Sequence, residues 1–488
     1  MNILDCAPKA VWKYFSEISS IPRGSGNEAG IREYIKNLAE SSGLDYAIDD
    51  AGNILVKKPA NNACPSAPAV VLQGHLDMVC EKLSDSPHNF STDKLLLIVD
   101  GDFLKADKTT LGADNGIGIA MSLALLFSDE YTHGPLEALF TVEEETGLIG
   151  ASNLGPDMCK GKILINLDTE EEGEFYIGCA GGKIVRAACR TDSVPAPEGY
   201  AGILIEAKGL HGGHSGMEID KGYGNALLCA LEIAEKLSAE HGFILSEINA
   251  PGKHNAIPRE CRIAGIVPED KIEDVLNEGE KLSDDIRKDY SGTDPDMRLS
   301  CIKINSPARV IKPSQSRVLI SCLSSLPHGV IDVRRDVTGL VNTSVNFATA
   351  ESMPEEIEIT VSQRSFAKHA INFAARKMIN ILELGGFVSE IITQYPNWDP
   401  NQNSKLLNLC LEIWKKMYNA EAEIKAVHAG LECGIIGEIL GGMDMISIGP
   451  DLFNAHTPDE CVSIKSVARV WTFLLEILKQ IAEGKLSR

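Results

Sequence analysis

Short apolar runs that end in polar residues recur along the first part of the chain. The runs at 54–57, 69–72, 136–142 and 162–167 are rich in β-branched and other apolar residues, which predicts strands. Helical patterns at 8–20, 28–41 and 119–127 lie before these runs or between them. Strands that alternate with helices are typical of a mainly parallel sheet in an α/β domain.

The pattern changes after residue 185. Strands are predicted at 201–207, 317–323, 340–347 and 356–362, several with one apolar and one polar face, and helices at 217–238, 271–289 and 366–383. The first pattern returns with a helix at 404–418, a strand at 445–448 and a helix at 463–482. We therefore predict a mainly parallel α/β domain formed by 1–185 and 386–488. A second, α+β domain of 186–385 is inserted into it.

Composition narrows the class of protein. The chain has 488 residues, 44% apolar and 24% charged, as in globular proteins, and a net charge of -23. This charge argues against nucleic acid or an anionic membrane as partner, because both would be repelled. The 13 cysteines form no Cys-x-x-Cys pair, and no secretory signal or long apolar run is visible. We expect a cytoplasmic protein with reduced thiols.

The segment Gly74-His75-Leu76-Asp77 follows the apolar run 69–72. Open α/β sheets place their ligands beyond the carboxyl ends of such strands. His75 and Asp77 are two residues apart, so an extended chain points both to one face. A histidine that binds metal commonly needs a carboxylate to fix its tautomer, and this pair therefore indicates a metal site.

Four further segments place metal-type ligands beside predicted elements: Asp114, the cluster Glu143–Glu145, Asp168 and His456. Each has an ordinary structural reading, as a helix cap, a solvated charge run, a turn residue or a histidine in another role. Their coincidence with the His75 segment favours a two-metal site of two histidines and three carboxylates. Mixed nitrogen and oxygen ligands suit Zn²⁺, with Co²⁺ or Mn²⁺ as alternatives.

Consecutive glutamates at 144 and 145 suggest hydrolysis. One carboxylate can bind metal while its neighbour stays free as a general base for the attacking water. The signatures of other hydrolases and of nucleotide-binding proteins are missing from the sequence. It contains no Gly-x-Ser-x-Gly, no Walker A loop and no His-Glu-x-x-His.

Together these segments resemble the M20 family of metallopeptidases, in its aminoacyl-histidine dipeptidase branch. The metal-type motifs occur in the family's order and spacing. Further motifs extend the resemblance over essentially the whole chain: 165–174 with Gly178-Cys179-Ala180-Gly181-Gly182, Gly212-Gly213-His214-Ser215-Gly216, and His428-Ala429-Gly430-Leu431-Glu432-Cys433-Gly434.

The resemblance implies two metal ions held by five side chains: His75, Asp114, Glu145, Asp168 and His456. Asp114 would bridge the ions, in a peptide to Asn115 that is cis in relatives. His75 and Asp168 would complete one site, and Glu145 and His456 the other. Asp77 would orient His75.

The resemblance also implies that Glu144 is the general base. Three consecutive glutamates stand where many relatives have Asp-Glu-Glu, so this assignment depends on counting back from Thr146-Gly147. A shift by one residue would make Glu143 the base and Glu144 the ligand.

In the inserted domain, His214 resembles a lid histidine that stabilises the tetrahedral oxyanion, although His211 lies close by. Asn255 and Arg364 resemble residues that contact the carboxyl end of the substrate. A turn asparagine and a surface arginine are equally good readings of these two positions.

Gly430 and Glu432 are expected to line the substrate pocket, with Glu432 beside the free amine. The resemblance thus implies a homodimeric dipeptidase, dimerised through the inserted domain, that hydrolyses unblocked dipeptides and prefers a C-terminal histidine. One alternative is a deacylase of N-acyl amino acids on the same scaffold, and another is a metal-free binding protein.

Overall fold

The chain folds into two compact units in the computed structural model, which describes residues 2–61, 64, 66–335 and 339–487. The first unit comprises Met1–Cys179, Trp398–Ala426 and Leu431–Arg488. The second comprises Ala180–Asn397 and Val427–Gly430. Among the described residues, no helix is long and apolar enough to cross a membrane.

The first unit is built on an eight-stranded sheet with parallel pairing at its centre. In spatial order the strands are Asp45–Ile48, Ile54–Lys58, Leu136–Thr141, Val70–His75, Ile163–Asn166, Asp444–Ser447, Glu174–Cys179 and Glu423–Val427. Val70–His75 runs parallel to both of its neighbours, and Asp444–Ser447 is parallel to Ile163–Asn166. Antiparallel strands flank this parallel centre, so the predicted mainly parallel α/β domain is confirmed.

Helices cover the sheet, which explains why its central strands are buried along their whole length. The α-helices are Lys9–Ile18, Ala29–Ser42, Ala113–Leu126, Ile149–Ser152, Lys405–Tyr418, Glu432–Leu440 and Ile464–Ala482, with 3-10 turns at Ile3–Asp5 and Lys485–Ser487. A small antiparallel sheet contains Leu97–Asp100, Phe103–Ala106, Cys461–Ser463 and Leu452–Phe453. Every residue of Ala113–Leu126 except Asp114 is buried, so this helix is apolar around nearly its full circumference.

The second unit contains a nine-stranded antiparallel sheet with helices, as predicted for an α+β domain. Its path runs Arg298–Ile304, Tyr200–Lys208, Cys261–Pro268, Ile244–Ala250, Val341–Ser352, Glu356–Ser365, Gly181–Arg190 and Val388–Tyr395, and Gly329–Val333 pairs with Val341–Ser352. Ser193–Pro195 pairs with Arg309–Ile311. The helices are Ala226–His241, Ile272–Asp289, Pro313–Ser324 and Lys368–Leu384, with a 3-10 turn at Glu269–Lys271.

The two units divide at 179/180 and 397/398 rather than at the predicted 185/186 and 385/386. The reason is strand pairing: Val388–Tyr395 joins Gly181–Arg190, which places both strands in the second sheet. The catalytic role expected for the first unit, and the lid and dimerisation role expected for the second, stay predictions.

Two predicted elements of the second unit differ from the structure. Residues 317–323, predicted as a strand, lie in the helix Pro313–Ser324, which begins at a proline and buries Leu319, Ile320 and Leu323 on one face. The helix predicted at 217–238 begins only at Ala226. Asn225 caps it by accepting the backbone N–H groups of Leu227 and Leu228.

Candidate metal centre

His75 is the last residue of the buried strand Val70–His75, and three carboxylates of the first unit surround its ring. Nε2 lies 3.0 Å from Asp114 Oδ1 and 3.4 Å from Asp168 Oδ1, while Nδ1 lies 3.3 Å from Asp77 Oδ1. The two ring nitrogens thus face different carboxylates. Nε2 is directed to the expected metal ligands and Nδ1 to the expected orienting residue.

Asp114 lies between two histidines. Its second oxygen, Oδ2, is 3.0 Å from His456 Nε2, and Glu145 Oε2 is 3.1 Å from the same nitrogen. Ligand atoms of His75, Asp114 and Glu145 all lie within 4.8 Å of one another. The peptide between Asp114 and Asn115 is cis, as the resemblance implied. The structure therefore brings the five predicted metal ligands into one cluster.

The titration behaviour of this cluster fits a cation site. Hydrogen bonds to Asp114 and Glu145 raise the pKa of His456 to about 11. Burial lowers the pKa of His75, but Asp168 and Asp114 outweigh that effect and raise it well above its usual value. Burial raises the pKa of Asp168 to about 6. The neighbouring carboxylates favour positive charge at both histidines, and a divalent cation would supply that charge instead of protons.

An unpaired oxygen atom provides a further test of the fit. Glu145 Oε1 is buried and accepts no hydrogen bond from the described residues. A buried carboxylate oxygen without a donor is unfavourable unless a cation or water completes it. The donor set of two imidazoles and three carboxylates matches what Zn²⁺, Co²⁺ or Mn²⁺ accept.

Asp77 holds the turn that follows Leu136–Thr141. It is fully buried, and its two oxygens accept the backbone N–H groups of Glu144 at 3.0 Å and Glu145 at 3.2 Å. The Ser25 hydroxyl donates a third bond at 2.8 Å. Asp77 therefore connects the ring of His75 to the turn that carries the predicted base and the predicted ligand.

The three consecutive glutamates have different surroundings. Glu145 is the one beside His456, as described above. Burial raises the pKa of Glu144 well above its usual range, and the charges of His75 and Asp168 act on it. Glu143 has a left-handed backbone with φ 49, and its N–H donates to Glu28 Oε1 at 3.0 Å. This geometry favours Glu144 as base and Glu145 as ligand over the shifted alternative.

Glu432 begins the helix Glu432–Leu440 and is 2% exposed. It accepts hydrogen bonds from Gln73 Nε2 at 2.5 Å and from the Thr141 hydroxyl at 2.8 Å. Its other oxygen, Oε1, is buried and accepts no hydrogen bond from the described residues. Burial raises its pKa to about 7. One oxygen of Glu432 is thus held in place while the other is available to a ligand.

The remaining predicted residues belong to the second unit. Arg364 is 7% exposed, so the alternative of a surface arginine is wrong. Its Nη1 donates to the Tyr395 hydroxyl at 2.7 Å. A Cβ atom at Gly182 or at Gly430 would overlap the ring of Tyr395, which explains the glycine at both positions. The sequence did not single out Tyr395, because nothing in its spacing marks it as a partner of Arg364.

His214 and Asn255 lie on neighbouring turns of the second unit. His214 Nδ1 accepts the backbone N–H groups of Gly216 at 3.3 Å and Met217 at 3.1 Å. The proton of the neutral ring is therefore on Nε2, which can donate. Burial, followed by the charge of Arg364, lowers the pKa of His214 to about 4. Asn255 accepts the N–H of Ser215 through its backbone carbonyl at 2.8 Å.

Comparison with known proteins identifies the family. Residues 71–480 match the profile of Peptidase family M20/M25/M40. This chain belongs to the M20 peptidase family. Its sequence is 37% identical over 476 residues to the cytosol non-specific dipeptidase of Escherichia coli K12. The match covers 97% of this chain and 98% of the relative.

Solved structures agree with this assignment. The crystal structure of aminoacylhistidine dipeptidase from Vibrio alginolyticus matches with a TM-score of 0.91 and 33% identity, over 98% of both chains. A tripeptidase from Staphylococcus aureus, 18% identical with a TM-score of 0.61, shares the fold. The predicted family, its dipeptidase branch and the enzyme class of metallo-dipeptidase are confirmed.

Proposed function

We propose that this M20 peptidase hydrolyses unblocked dipeptides, preferentially Xaa-His, at a centre for two divalent ions. The observation that carries the proposal is the Asp114 carboxylate, which lies 3.0 Å from His75 Nε2 through one oxygen and 3.0 Å from His456 Nε2 through the other. The names of the E. coli and Vibrio relatives support a dipeptide substrate and, for the second, a histidine at its carboxyl end.

Five side chains would hold the ions. His75 and Asp168 would bind one, Glu145 and His456 the other, and Asp114 both. Zn²⁺ is the expected metal, with Co²⁺ or Mn²⁺ as alternatives. Bound ions would supply Lewis acidity, which polarises the scissile carbonyl and makes a water molecule more acidic.

Glu144 would transfer the proton. Its carboxylate accepts a proton from the attacking water and returns it to the nitrogen of the leaving amino acid. Burial raises the pKa of Glu144, which makes its carboxylate a stronger base than an exposed glutamate. Asp77 keeps the Glu144 backbone in place through its 3.0 Å hydrogen bond.

Each unit carries residues proposed for substrate recognition, Glu432 in the first and the other four in the second. Oε1 of Glu432 pairs with the free amine, which a blocked amine cannot do. Arg364 and Asn255 would bind the terminal carboxylate, and Gly430, which lies against the ring of Tyr395, would line the pocket. Nε2 of His214 donates to the oxyanion that forms at the scissile carbonyl.

Two properties of the whole protein belong to the same proposal. The name of the E. coli relative supports a cytosolic location. A homodimer formed through the second unit is expected from the family resemblance.

Amino-acid release by the Zn²⁺- or Mn²⁺-loaded protein tests this function. We expect release from Ala-His, slower release from Ala-Ala, and none from N-acetyl-His. Release of histidine only from N-acetyl-His would show a deacylase of N-acyl amino acids instead of a dipeptidase. Binding of Ala-His without hydrolysis would favour the alternative of a metal-free binding protein.

A second comparison isolates the role of Glu432. Glu432→Gln should raise KM for Ala-His roughly tenfold or more, because hydrogen bonds to charged groups contribute about 1.5–3 kcal/mol. The variant should leave binding of propionyl-His unchanged, since this ligand has the same shape without the ammonium group. If Glu432→Gln weakens the binding of Ala-His and of propionyl-His equally, Glu432 does not recognise the free amine.

A further inference from the structure

Gly112 belongs to the first unit and lies two residues before Asp114. Both its N–H group and its carbonyl are hydrogen-bonded to buried side chains. Its N–H donates to Glu460 Oε2 at 3.0 Å, and its carbonyl accepts a hydrogen bond from Nη2 of Arg23. The residue has φ 66, and a Cβ atom there would lie 2.6 Å from Arg23 Nη2 and 2.7 Å from Met78 Sδ. Only glycine fits this position.

Glu460 binds the start of the helix that carries Asp114. It is 2% exposed, and its carboxylate also accepts the N–H groups of Leu111 at 2.8 Å and Ala113 at 2.7 Å, with Asp114 at a longer 3.4 Å. The first N–H groups of a helix have no partner within the helix, and a carboxylate is a favourable acceptor for them. All the hydrogen bonds of this side chain therefore fix the backbone next to one predicted ligand.

Glu460 also lies close to a second ligand along the chain. It follows His456 by four residues, and its own N–H donates to Thr457 O at 3.1 Å. The loop that carries His456 is thus joined through the Glu460 side chain to the segment that carries Asp114.

Arg23 makes the corresponding connection on the other side. It is 1% exposed, and its Nη1 donates to the carbonyls of Leu76 at 3.0 Å and Asp77 at 2.9 Å, directly after His75. Its Nη2 reaches Gly112. One guanidinium therefore ties the end of the strand that carries His75 to the segment before Asp114.

We propose that Arg23 and Glu460 are positioning residues of the metal centre. They clamp the Gly112 peptide and so fix the Asp114 carboxylate between His75 and His456. Burying an arginine and a glutamate is unfavourable unless they are hydrogen-bonded, and here the side-chain partners are backbone groups of two ligand-bearing segments, those of His75 and Asp114. The proposal rests on the proposed role of Asp114 as a metal ligand, and both residues act through hydrogen bonds to the backbone.

The test compares Glu460→Gln with Glu137→Gln. Glu137 is a matched control, because it is also buried and also accepts backbone N–H groups. Its partners are Lys160 at 2.8 Å and Gly161 at 2.9 Å. These two residues precede the strand Ile163–Asn166 and do not belong to the metal centre. Two quantities are measured on the full-length protein after its metal has been removed with a chelator. One is the Mn²⁺ dissociation constant, obtained from the electron paramagnetic resonance signal of free Mn²⁺, and the other is Tm.

Glu460→Gln should weaken Mn²⁺ binding roughly 10–100-fold, the usual effect of losing a residue that orients metal ligands. Glu460→Asp keeps the charge and should restore part of the affinity. Glu137→Gln should lower Tm and leave Mn²⁺ affinity unchanged. Wild-type affinity in Glu460→Gln, or an equal loss in Glu137→Gln, would overturn the proposal.

Two further variants keep the outcome decisive. Arg23→Lys retains the charge but loses the planar fork, and it should also weaken Mn²⁺ binding, which provides a second test if Glu460→Gln does not fold. Asp114→Asn separates the two proposals. If Asp114→Asn abolishes tight Mn²⁺ binding while Glu460→Gln and Arg23→Lys leave the affinity unchanged, the proposed roles of Arg23 and Glu460 are wrong and the metal centre stands. If Asp114→Asn binds Mn²⁺ like the wild type, the proposed centre and the clamp both fail.

Discussion

His456 Nε2 lies 3.0 Å from Oδ2 of Asp114, a carboxylate 342 positions earlier in the chain. Both residues belong to the first unit, which combines residues from the beginning and the end of the sequence. The other oxygen of Asp114 contacts His75 at the same distance. The centre therefore forms only when distant segments of the first unit have folded together.

Replacing the predicted base should slow the reaction without removing metal. Glu144→Gln keeps the shape of the side chain but cannot accept the proton, so kcat for Ala-His should fall roughly 10²–10⁴-fold. Mn²⁺ affinity should stay within about threefold of the wild type, since Glu145 is the expected ligand. Steady-state kinetics and Mn²⁺ titration measure the two effects.

Glu143→Gln is the matched control for this variant. Its backbone N–H is bound to Glu28, and its activity should stay close to that of the wild type. Loss of kcat in Glu143→Gln, together with loss of metal affinity in Glu144→Gln, would show that base and ligand are each one residue earlier.

Asp77→Asn should weaken metal binding without any loss of a predicted ligand. The change removes the negative charge beside His75 Nδ1 and replaces an acceptor of the Glu144 and Glu145 N–H groups with a donor. The expected loss of Mn²⁺ affinity is about 10–100-fold. Asp444→Asn is the control, because Asp444 also accepts a hydroxyl and a backbone N–H, from Ser404 and Leu406. Equal Mn²⁺ affinities in the two variants would contradict the orienting role.

Arg364→Met should impair recognition of the terminal carboxylate. We expect KM for Ala-His to rise roughly tenfold or more, because a charge-assisted hydrogen bond contributes about 1.5–3 kcal/mol. The KM for the amide of Ala-His, which lacks this charge, should change little. Arg262→Met, at an exposed arginine of the same sheet, serves as the control. An equal rise for Ala-His and its amide would exclude carboxylate recognition by Arg364.

His428 should make the second unit sensitive to acid. It is buried, with Nε2 at 2.7 Å from the Ser344 hydroxyl, and burial, followed by the charge of Arg364, lowers its pKa to about 3. An unfolded histidine has a pKa of about 6.5, so below that pH the unfolded chain binds a proton that the folded chain does not. The contribution of neutral His428 is complete above pH ~6.5 and is lost as the pH falls toward 3.

The free energy of unfolding in the presence of chelator, at pH 7.5 and pH 4.5, measures this effect. The wild type should lose about 3 kcal/mol more than His428→Asn between these pH values. The exposed His369 provides a control, and His369→Asn should lose as much as the wild type. The same pH dependence in His428→Asn and the wild type would contradict the prediction.

The parallel core and its ligands could be predicted because one physical pattern marks both. A buried parallel strand is a continuous apolar run, and its end is visible where that run meets a charged residue, as at His75 and Asp168. The carboxyl ends of neighbouring parallel strands meet at one edge of the sheet, so their polar residues were expected to converge. Periodicity is weaker evidence for short apolar segments, and residues 317–323 of the helix Pro313–Ser324 were therefore predicted as a strand.

The clamp residues could not be predicted in this way. Arg23 and Glu460 bind backbone groups of Gly112, and a backbone partner leaves no pattern of side chains in the sequence. Their burial becomes visible only in the folded chain. The same holds for Tyr395, whose ring occupies space left by Gly182 and Gly430.

The most direct test of the proposed centre is the number of divalent ions that the full-length protein binds, in the wild type and in Asp114→Asn. We predict two Zn²⁺ or Mn²⁺ ions per chain at saturation in the wild type. Loss of tight binding at both sites is expected in Asp114→Asn, because the Asp114 carboxylate faces both His75 and His456. One ion per wild-type chain, or unchanged stoichiometry and affinity in Asp114→Asn, would contradict a shared two-ion centre.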